Sequence, residues 1–437
     1  MNKQVTHRQL IQHAKVYDRE SPFHLKTTSI LVEKGKIAYI GPNPPSCDCV
    51  LKGKGLGVSP GWIDLQADFC DPGFEHRETL ITGMAAAHAG GYVGVCLWPT
   101  TQPTLQTKSQ LKHIQQVSKE HPNLKIYPFA SLSKNRKGKQ LTDMLELHEA
   151  GAFGFTDGEI SIENPQLLVQ ALRYARGFSG LIIHRSEESQ LGEQQGLHEG
   201  KSSLMMGMIG SPAVGERIRL YRDLNLLAYT QGRLHVSGIS TAEGVELVAE
   251  AKNAGLQVSC DVSIHHLMWN EENVLNFDPN YKVSPPYRSE KDQQSLLQGL
   301  KKGIIDSIVS AHTPCDIEDK THPFPLARPG VLGLQTLFSS LNQLDQENKL
   351  SLDISLPILA SGGWSVLGLK NPCIKVGEPA CLSVFDTNTT WTWNKKTNKS
   401  LAYNHPLFGE KLKGIPVATF QGSDLSFCYD KDILNKT

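Results

Sequence analysis

Where strands and helices alternate, reactive groups gather at strand ends, because the loops that follow are free of the packing that fixes the strands. The residues closing the apolar runs of this chain are Gln66, Ala67 and Asp68 after WIDL, Pro99, Thr100 and Thr101 after VCLW, and Asp157 after GFT. They continue with His184 after LII, Gly238 after HVS, and Ala311 with His312 after IVS. Asp68, Asp157, His184 and His312 are the carboxylate and imidazole side chains of this set, types that can bind a divalent ion. Two of them also have ordinary readings: His184 as a buried histidine bonded to a neighbour, and Asp157, in TDG, as a turn aspartate. The His265 and His266 pair suits a structural place at a strand end. His312 and Cys315 are spaced like two ligands on one loop, but a lone HxxC is a weak signal. The stretch SKNRKGK (133–139) reads as a solvated loop.

The elements that must position these residues follow from the texture of the chain. Residues 29–41, SILVEKGKIAYIG, are β-branched and apolar around Lys-Gly-Lys, which predicts two strands joined by a tight turn. From residue 57 onward short apolar strands alternate with helical windows. The strands are VGVCLW (93–98), KIYPFA (125–130), GAFGFT (151–156), GLIIH (180–184), GRLHVSG (232–238), LQVSCDV (256–262) and IDSIVSAH (305–312). Between them lie helical windows such as LTDMLELHEA, PQLLVQALRYAR and TAEGVELVAEAKNAG. Strands spaced by helices call for a parallel sheet with crossover helices, and about eight such units favour a closed (β/α)8 TIM barrel over an open sheet. No GxGxxG follows the first strand to argue for the open alternative. After residue 372 short β runs return as EPACLSVFD, TTWTW and GIPVATFQG. Neither chain end buries much surface alone, so the two are expected to pair in one accessory β-sandwich. The division is therefore residues 1–56 and 371–437 for the sandwich and 57–370 for the barrel.

Composition excludes several classes of function. Lys+Arg and Asp+Glu are both 44, so the formal charge is zero and no basic face offers itself to nucleic acid or an anionic membrane. The polar start lacks the apolar core of an export signal, and no apolar run approaches the roughly 20 residues of a membrane helix. Nine scattered cysteines without a CxxC pair read as reduced thiols, and the expectation is a cytoplasmic protein.

Five ordered segments carry a resemblance to a known family. SPGWIDLQADFCDPGFEHRETLITGMAAAHAGGY (59–92) resembles PGFIDLHVHLREPGFE followed by a helix and Ala-Gly-Gly. HVSGISTAEGVELVAEAKNAGLQVSCDVSIHHL (235–267) resembles HxxHISTAxSVxLIxxAKxxGxxVTxEVTPHHL. KVSPPYRSEKDQQSLLQGLKKGIIDSIVSAHTPC (282–315) resembles KVNPPLRxxxDxxALxxGLxxGxIDxIxTDHAPH, and ARPGVLGLQT (327–336) resembles APxGIxGLET. With the ending SLAYNHPLFGEKLKGIPVATFQG (400–422), these motifs are similar to the dihydroorotases of the multifunctional-complex class, in the amidohydrolase superfamily. The resemblance implies a metal-dependent hydrolase interconverting dihydroorotate and carbamoyl aspartate in pyrimidine biosynthesis. Two zinc ions would be held by an HxH pair, two further His, a bridging carboxylate and a final Asp that also handles the proton.

Carried over residue by residue, most of these roles find no matching side chain. The HxH pair falls on Gln66 and Asp68, the His of HISTA on Gly238, the catalytic Asp on Ala311, and the second His of DHAPH on Cys315. His184 matches the remaining metal His, and Asp157 matches the bridging carboxylate with one residue deleted. Asp68, Asp157 and His184 are thus the vestigial metal candidates. On the substrate side the carboxylate-binding Arg is Cys70, and two Asn are Thr100 and Ser284. No catalytic residue is intact.

The leading expectation is a homologue without zinc-dependent catalysis, carrying no zinc or one weakly bound ion and serving as a folded scaffold. The partner suggested by the resemblance is aspartate transcarbamoylase, and a homo-oligomer is expected. One alternative is an active cyclic amidohydrolase with a single metal on Asp68, Asp157 and His184, to which the missing base at Ala311 is the main objection. Another is a sensor that binds a pyrimidine-like ligand without turnover. If the strand ends keep the family's positions, restoring the lost metal-side residues should return zinc.

Overall fold

The computed structural model describes residues 8–191 and 196–429. Its centre is a parallel sheet of eight strands in sequential order: Trp62–Ala67, Tyr92–Leu97, Lys125–Ser131, Gly154–Thr156, Ile182–His184, Leu234–Val236, Val258–Ser263 and Ser307–Val309. The eighth strand returns to the first just beyond the regular pairing. Ala67 bridges His312, the Asp68 amide donates to the His312 carbonyl at 2.9 Å, and the His312 amide donates to the Gln66 carbonyl at 3.2 Å. Below this seam the buried Asp64 carboxylate accepts from the Ser310 amide at 2.7 Å and hydroxyl at 2.8 Å. The expected (β/α)8 barrel is present, and its closure sets the ends of the first and eighth strands side by side.

The helices between strands form where capping and an apolar stripe coincide. Pro165–Arg176 begins with Asn164 accepting from the Gln166 amide, and proline stands in the first turn where its missing N–H costs nothing. Its buried residues Leu167, Leu168, Ala171, Leu172 and Ala175 make one stripe against the barrel. Each leucine so buried contributes about 1.5–3 kcal/mol relative to exposure. Ala242–Asn253 is capped by Thr241 in the same way, and Ser289 with Asp292 forms a reciprocal capping box ahead of Glu290–Lys301.

Both chain ends join a separate mixed sheet, also of eight strands, in which Gln9–Val16, Thr27–Glu33, Lys36–Gly41 and Leu56–Pro60 meet Cys381–Thr392 and Lys411–Gln421. Ile11, Val16, Ile30, Val32, Val58, Leu382, Val384 and Phe420 share its core. The expected hairpin at 29–41 is there, and the strands of this accessory unit are hydrogen-bonded into one continuous sheet. The barrel boundary drawn at residue 57 falls inside Leu56–Pro60, a strand of the accessory sheet, so the barrel begins at Trp62. Between them Gly61 is required by close approach, because a Cβ there would stand 2.6 Å from the Val93 side chain.

Gln9–Val16 and Leu352–Leu367 are among the elements that the sequence reading did not single out. Gln9–Val16 is interrupted by a register shift between Ile11 and Ala14, where His13 takes φ 53°, and the bulge breaks the alternation that marks a strand. Leu352–Leu367 holds Pro357, Gly362 and Gly363, which read as breaks. The glycines instead allow contact, since a Cβ on either would lie 2.5 Å from a barrel carbonyl, that of Asp306 or Ile63. Residues 1–7 and 430–437, the outer ends of the first and third segments, lie outside the described residues. No helix among the described residues is long and apolar enough to cross a membrane.

Candidate functional site

The strand ends converge at the mouth of the barrel, and each sequence candidate has a definite occupation there. His184 closes the fifth strand and is 2% exposed. Its Nε2 accepts from the Ile162 amide at 2.7 Å, so the ring proton sits on Nδ1 and is donated to Asp223 at 2.8 Å. Asp223 also accepts from Ser186 at 2.8 Å and from Arg222 at 2.7 and 2.9 Å. Burial pushes the Asp223 carboxyl up, yet the opposing pull of His184, Arg222 and Ser186 wins and holds it below the usual carboxylate range. Neither ring nitrogen of His184 has a lone pair left for a ligand.

Asp157, after the fourth strand, is similarly consumed. One oxygen accepts from the Ser133 amide at 2.9 Å and the Ser131 hydroxyl at 3.0 Å, and the other from the Ser133 hydroxyl. Burial pushes its pKa up, against the lowering effect of those serines. Its backbone carbonyl accepts from Arg136 Nε at 2.9 Å. Arg136 also pairs with Glu159 at 2.5 Å. The 133–139 stretch, expected as a solvated loop, therefore turns Ser133 and Arg136 inward to hold Asp157.

Asp68 is half-buried, with one oxygen accepting from the Cys70 amide at 3.0 Å. Burial pushes this carboxyl up as well, with Thr100 and the Cys70 amide opposing. Gln66 beside it accepts from the Ser237 hydroxyl at 3.4 Å. Gly238 takes φ 71° and gives its amide to Asp261 at 2.6 Å. Asp261 in turn holds His235 Nε2 at 2.9 Å. Ala311 also lies in the left-handed region, at φ 48°, and Cys70 at φ 60°. Burial raises the Cys70 thiol far above the ordinary range, so it carries no charge.

His312 and Cys315 do not converge on a common point. His312 Nδ1 accepts from the Gly333 amide at 3.3 Å while Nε2 lies 3.4 Å from Glu78. The Cys315 thiol, pushed up to about 11 by burial, faces the carbonyls of Thr313 and Pro329. His265 stacks on Trp269 with ring centres 5.5 Å apart and is driven down to about 3 by burial. His266 meets the Pro285 carbonyl at 3.1 Å and is driven down to about 4, again by burial. Both are neutral packing residues at neutral pH.

The residue that sequence reasoning passed over is Arg185. It follows His184 directly, just past the end of the fifth strand, and is 5% exposed. Its Nη1 donates to the Ser284 carbonyl at 2.6 Å, and its guanidinium lies 5.8 Å from the Trp98 ring centre. Its place one residue past a strand end was the available signal.

Comparison with known proteins decides the family. A sequence model described as "Dihydro-orotase-like" matches residues 55–244. The chain is 33% identical over 419 residues to a dihydroorotase of Geobacillus sp. (strain WCH70), covering 95% of this chain and 98% of that protein. It is 34% identical to the dihydroorotase of Bacillus subtilis (strain 168) over 87% of this chain and 89% of that protein. The chain belongs to the dihydroorotase family. An L-hydantoinase from Arthrobacter aurescens shares the fold, with a TM-score of 0.82 at 21% identity over 96% of both chains.

Against the metal chemistry of a dihydroorotase, the residues present do not fit. Zinc needs several free N and O donors converging at about 2 Å. Here Gly238 and Ala311 offer no donor, and the lone pairs of His184 and the oxygens of Asp157 are spent on protein hydrogen bonds. Asp68 accepts from the Cys70 amide at 3.0 Å, and the Thr100 hydroxyl acts on the same carboxylate. No group of three or more His, Cys, Asp or Glu among the described residues is placed to hold an ion. In this structure the candidate ligand atoms of His184 and Asp157 are engaged by protein hydrogen bonds instead.

Proposed function

We propose that this dihydroorotase-family protein works in pyrimidine biosynthesis without zinc-dependent catalysis, as a scaffold or partner subunit. The observation that supports the reading is the coincidence at one mouth of Ala311, which can take no proton, with a His184 whose two nitrogens are already bonded. A hydrolase of this kind needs both an activated water and a carboxylate to accept its proton as the bond forms. By the family resemblance Cys70, Thr100 and Ser284 fall at the substrate-binding positions, and none of these side chains carries a positive charge or an amide. The partner we propose is aspartate transcarbamoylase, with the chain itself homo-oligomeric and cytoplasmic.

The test is a dihydroorotate hydrolysis assay on the purified protein with and without added zinc, alongside co-purification with aspartate transcarbamoylase. The expected result is no turnover above the uncatalysed rate and a stable complex with the transcarbamoylase. Zinc-dependent hydrolysis would overturn the non-catalytic reading, and failure to associate would overturn the choice of partner.

A further inference from the structure

We infer that the barrel mouth contains a metal-free binding site for a small carboxylate, built on Arg185. A guanidinium presents its donors along edges, and the edge formed by Nε and one terminal nitrogen matches a carboxylate bidentately. In Arg185 the far nitrogen, Nη1, is anchored on the Ser284 carbonyl at 2.6 Å. The other edge is free: Nε is buried with no hydrogen-bond partner, and among the described residues Nη2 has none either. A 5% exposed cation with an empty donor edge is costly unless an anion completes it.

The free edge faces the space over Gly238. A Cβ built on that glycine would lie 3.5 Å from Arg185 Nη2 and 3.8 Å from Nε, with Pro285 Cδ at 3.7 Å. The glycine backbone cannot move to fill this space, because its amide is held by Asp261 at 2.6 Å. Absence of a side chain at 238 is what keeps the donor edge open. Trp98 lies 5.8 Å from the guanidinium and helps fix its plane.

Among the described residues no carboxylate is within ion-pair distance of Arg185. Glu159, whose charge bears on it, is paired with Arg136 at 2.5 Å. Asp261 is engaged by Gly238 and His235, Asp157 by Ser131 and Ser133, and Asp68 by the Cys70 amide. Asp68, Thr100 and Ala311, which follow the first, second and eighth strands, are half-buried, so the strand ends are not sealed from solvent. One planar edge recessed at the strand ends suits a free carboxylic acid better than phosphate, whose tetrahedral oxygens call for donors from several sides.

The inference goes beyond the non-catalytic reading and does not depend on it, which the experiment exploits. The full chain is titrated with succinate in the presence of EDTA and followed by calorimetry, with inorganic phosphate and chloride as parallel arms. Arg185→Met, Arg185→Lys and Gly238→Ala are compared with the parent, and circular dichroism reports folding. The expected result is saturable succinate binding that weakens roughly tenfold or more in Arg185→Met, as loss of a charge-assisted bidentate contact requires. It should weaken again in Gly238→Ala, where a methyl enters the space, and recover in part in Arg185→Lys. No saturable binding by the parent, or equal affinity in Arg185→Met, would overturn the site. Phosphate or chloride bound as tightly as succinate would overturn the carboxylate assignment. If Arg185→Met does not fold, Gly238→Ala decides in its place. Succinate binding that appears only when zinc replaces EDTA would defeat this inference, and with zinc-dependent hydrolysis the non-catalytic reading too; absent binding without hydrolysis defeats this inference alone.

Discussion

Restoring Gln66→His, Asp68→His, Gly238→His and Ala311→Asp together is expected to give a folded protein that holds zinc only weakly, contrary to what strand-end positions alone suggest. To join a metal, His184 must first release the Ile162 amide, which lies 2.7 Å from Nε2 in a residue only 1% exposed. Orphaning that buried donor costs about 1–3 kcal/mol. Asp157 must likewise give up the Ser133 amide and the hydroxyls of Ser131 and Ser133, for about another 1–3 kcal/mol. A non-glycine residue at Gly238, with φ 71°, costs about 1–2 kcal/mol, and the new imidazole would confront the Arg185 guanidinium. These sum to about 3–8 kcal/mol, to be set against the roughly 10–16 kcal/mol that zinc supplies to structural sites. The mid-range remainder, about 7.5 kcal/mol, corresponds to a dissociation constant in the micromolar range. Metal analysis after dialysis, with circular dichroism to confirm folding, is the assay. Sub-stoichiometric zinc is expected, and competition against a chromophoric chelator should return a micromolar constant. Two zinc ions per chain that survive dialysis would refute the reasoning, since His184 and Asp157 would then have been free ligands.

Two further outcomes follow from backbone strain and from the buried ion pair. Ala311→Gly should stabilise the protein by about 1 kcal/mol in denaturant unfolding, because φ 48° costs alanine energy that glycine does not pay; unchanged or lower stability would count against strain there. Asp223→Asn should destabilise by about 3–5 kcal/mol at neutral pH, since it leaves Arg222 and His184 without their buried partner. The folded Asp223 carboxyl lies below its unfolded value of about 3.9, so its contribution is present above that pH and is lost as pH falls through the lower folded value. The gap between parent and variant should accordingly be widest near neutrality and close in acid; a gap independent of pH would refute the assignment.

Much of the fold was legible because its signals are local. Each barrel strand announces itself as a short apolar run, and Asn164 with Pro165 marks a helix start without reference to anything distant. The elements missed were those whose residues make sense only through their contacts. The strand at Gln9–Val16 carries a bulge at His13, and Gly362 and Gly363 look like breaks until the barrel carbonyls they approach are in place.

At the site the sequence determined which side chains are absent. A glycine at 238 and an alanine at 311 bring no side-chain ligand and no side-chain proton acceptor in any conformation, and that conclusion needs residue identities alone. What became of the residues that remained was decided by tertiary structure. His184 and Asp157 have the atoms of ligands, but whether a lone pair is free depends on which donor lies within 3 Å, and those donors come from Ile162 and Ser133, distant in the chain. Arg185 has the same dependence in the opposite sense. Its charge is written in the sequence, but the free edge exists only because the barrel sets that guanidinium over Gly238, which has no side chain to close the space.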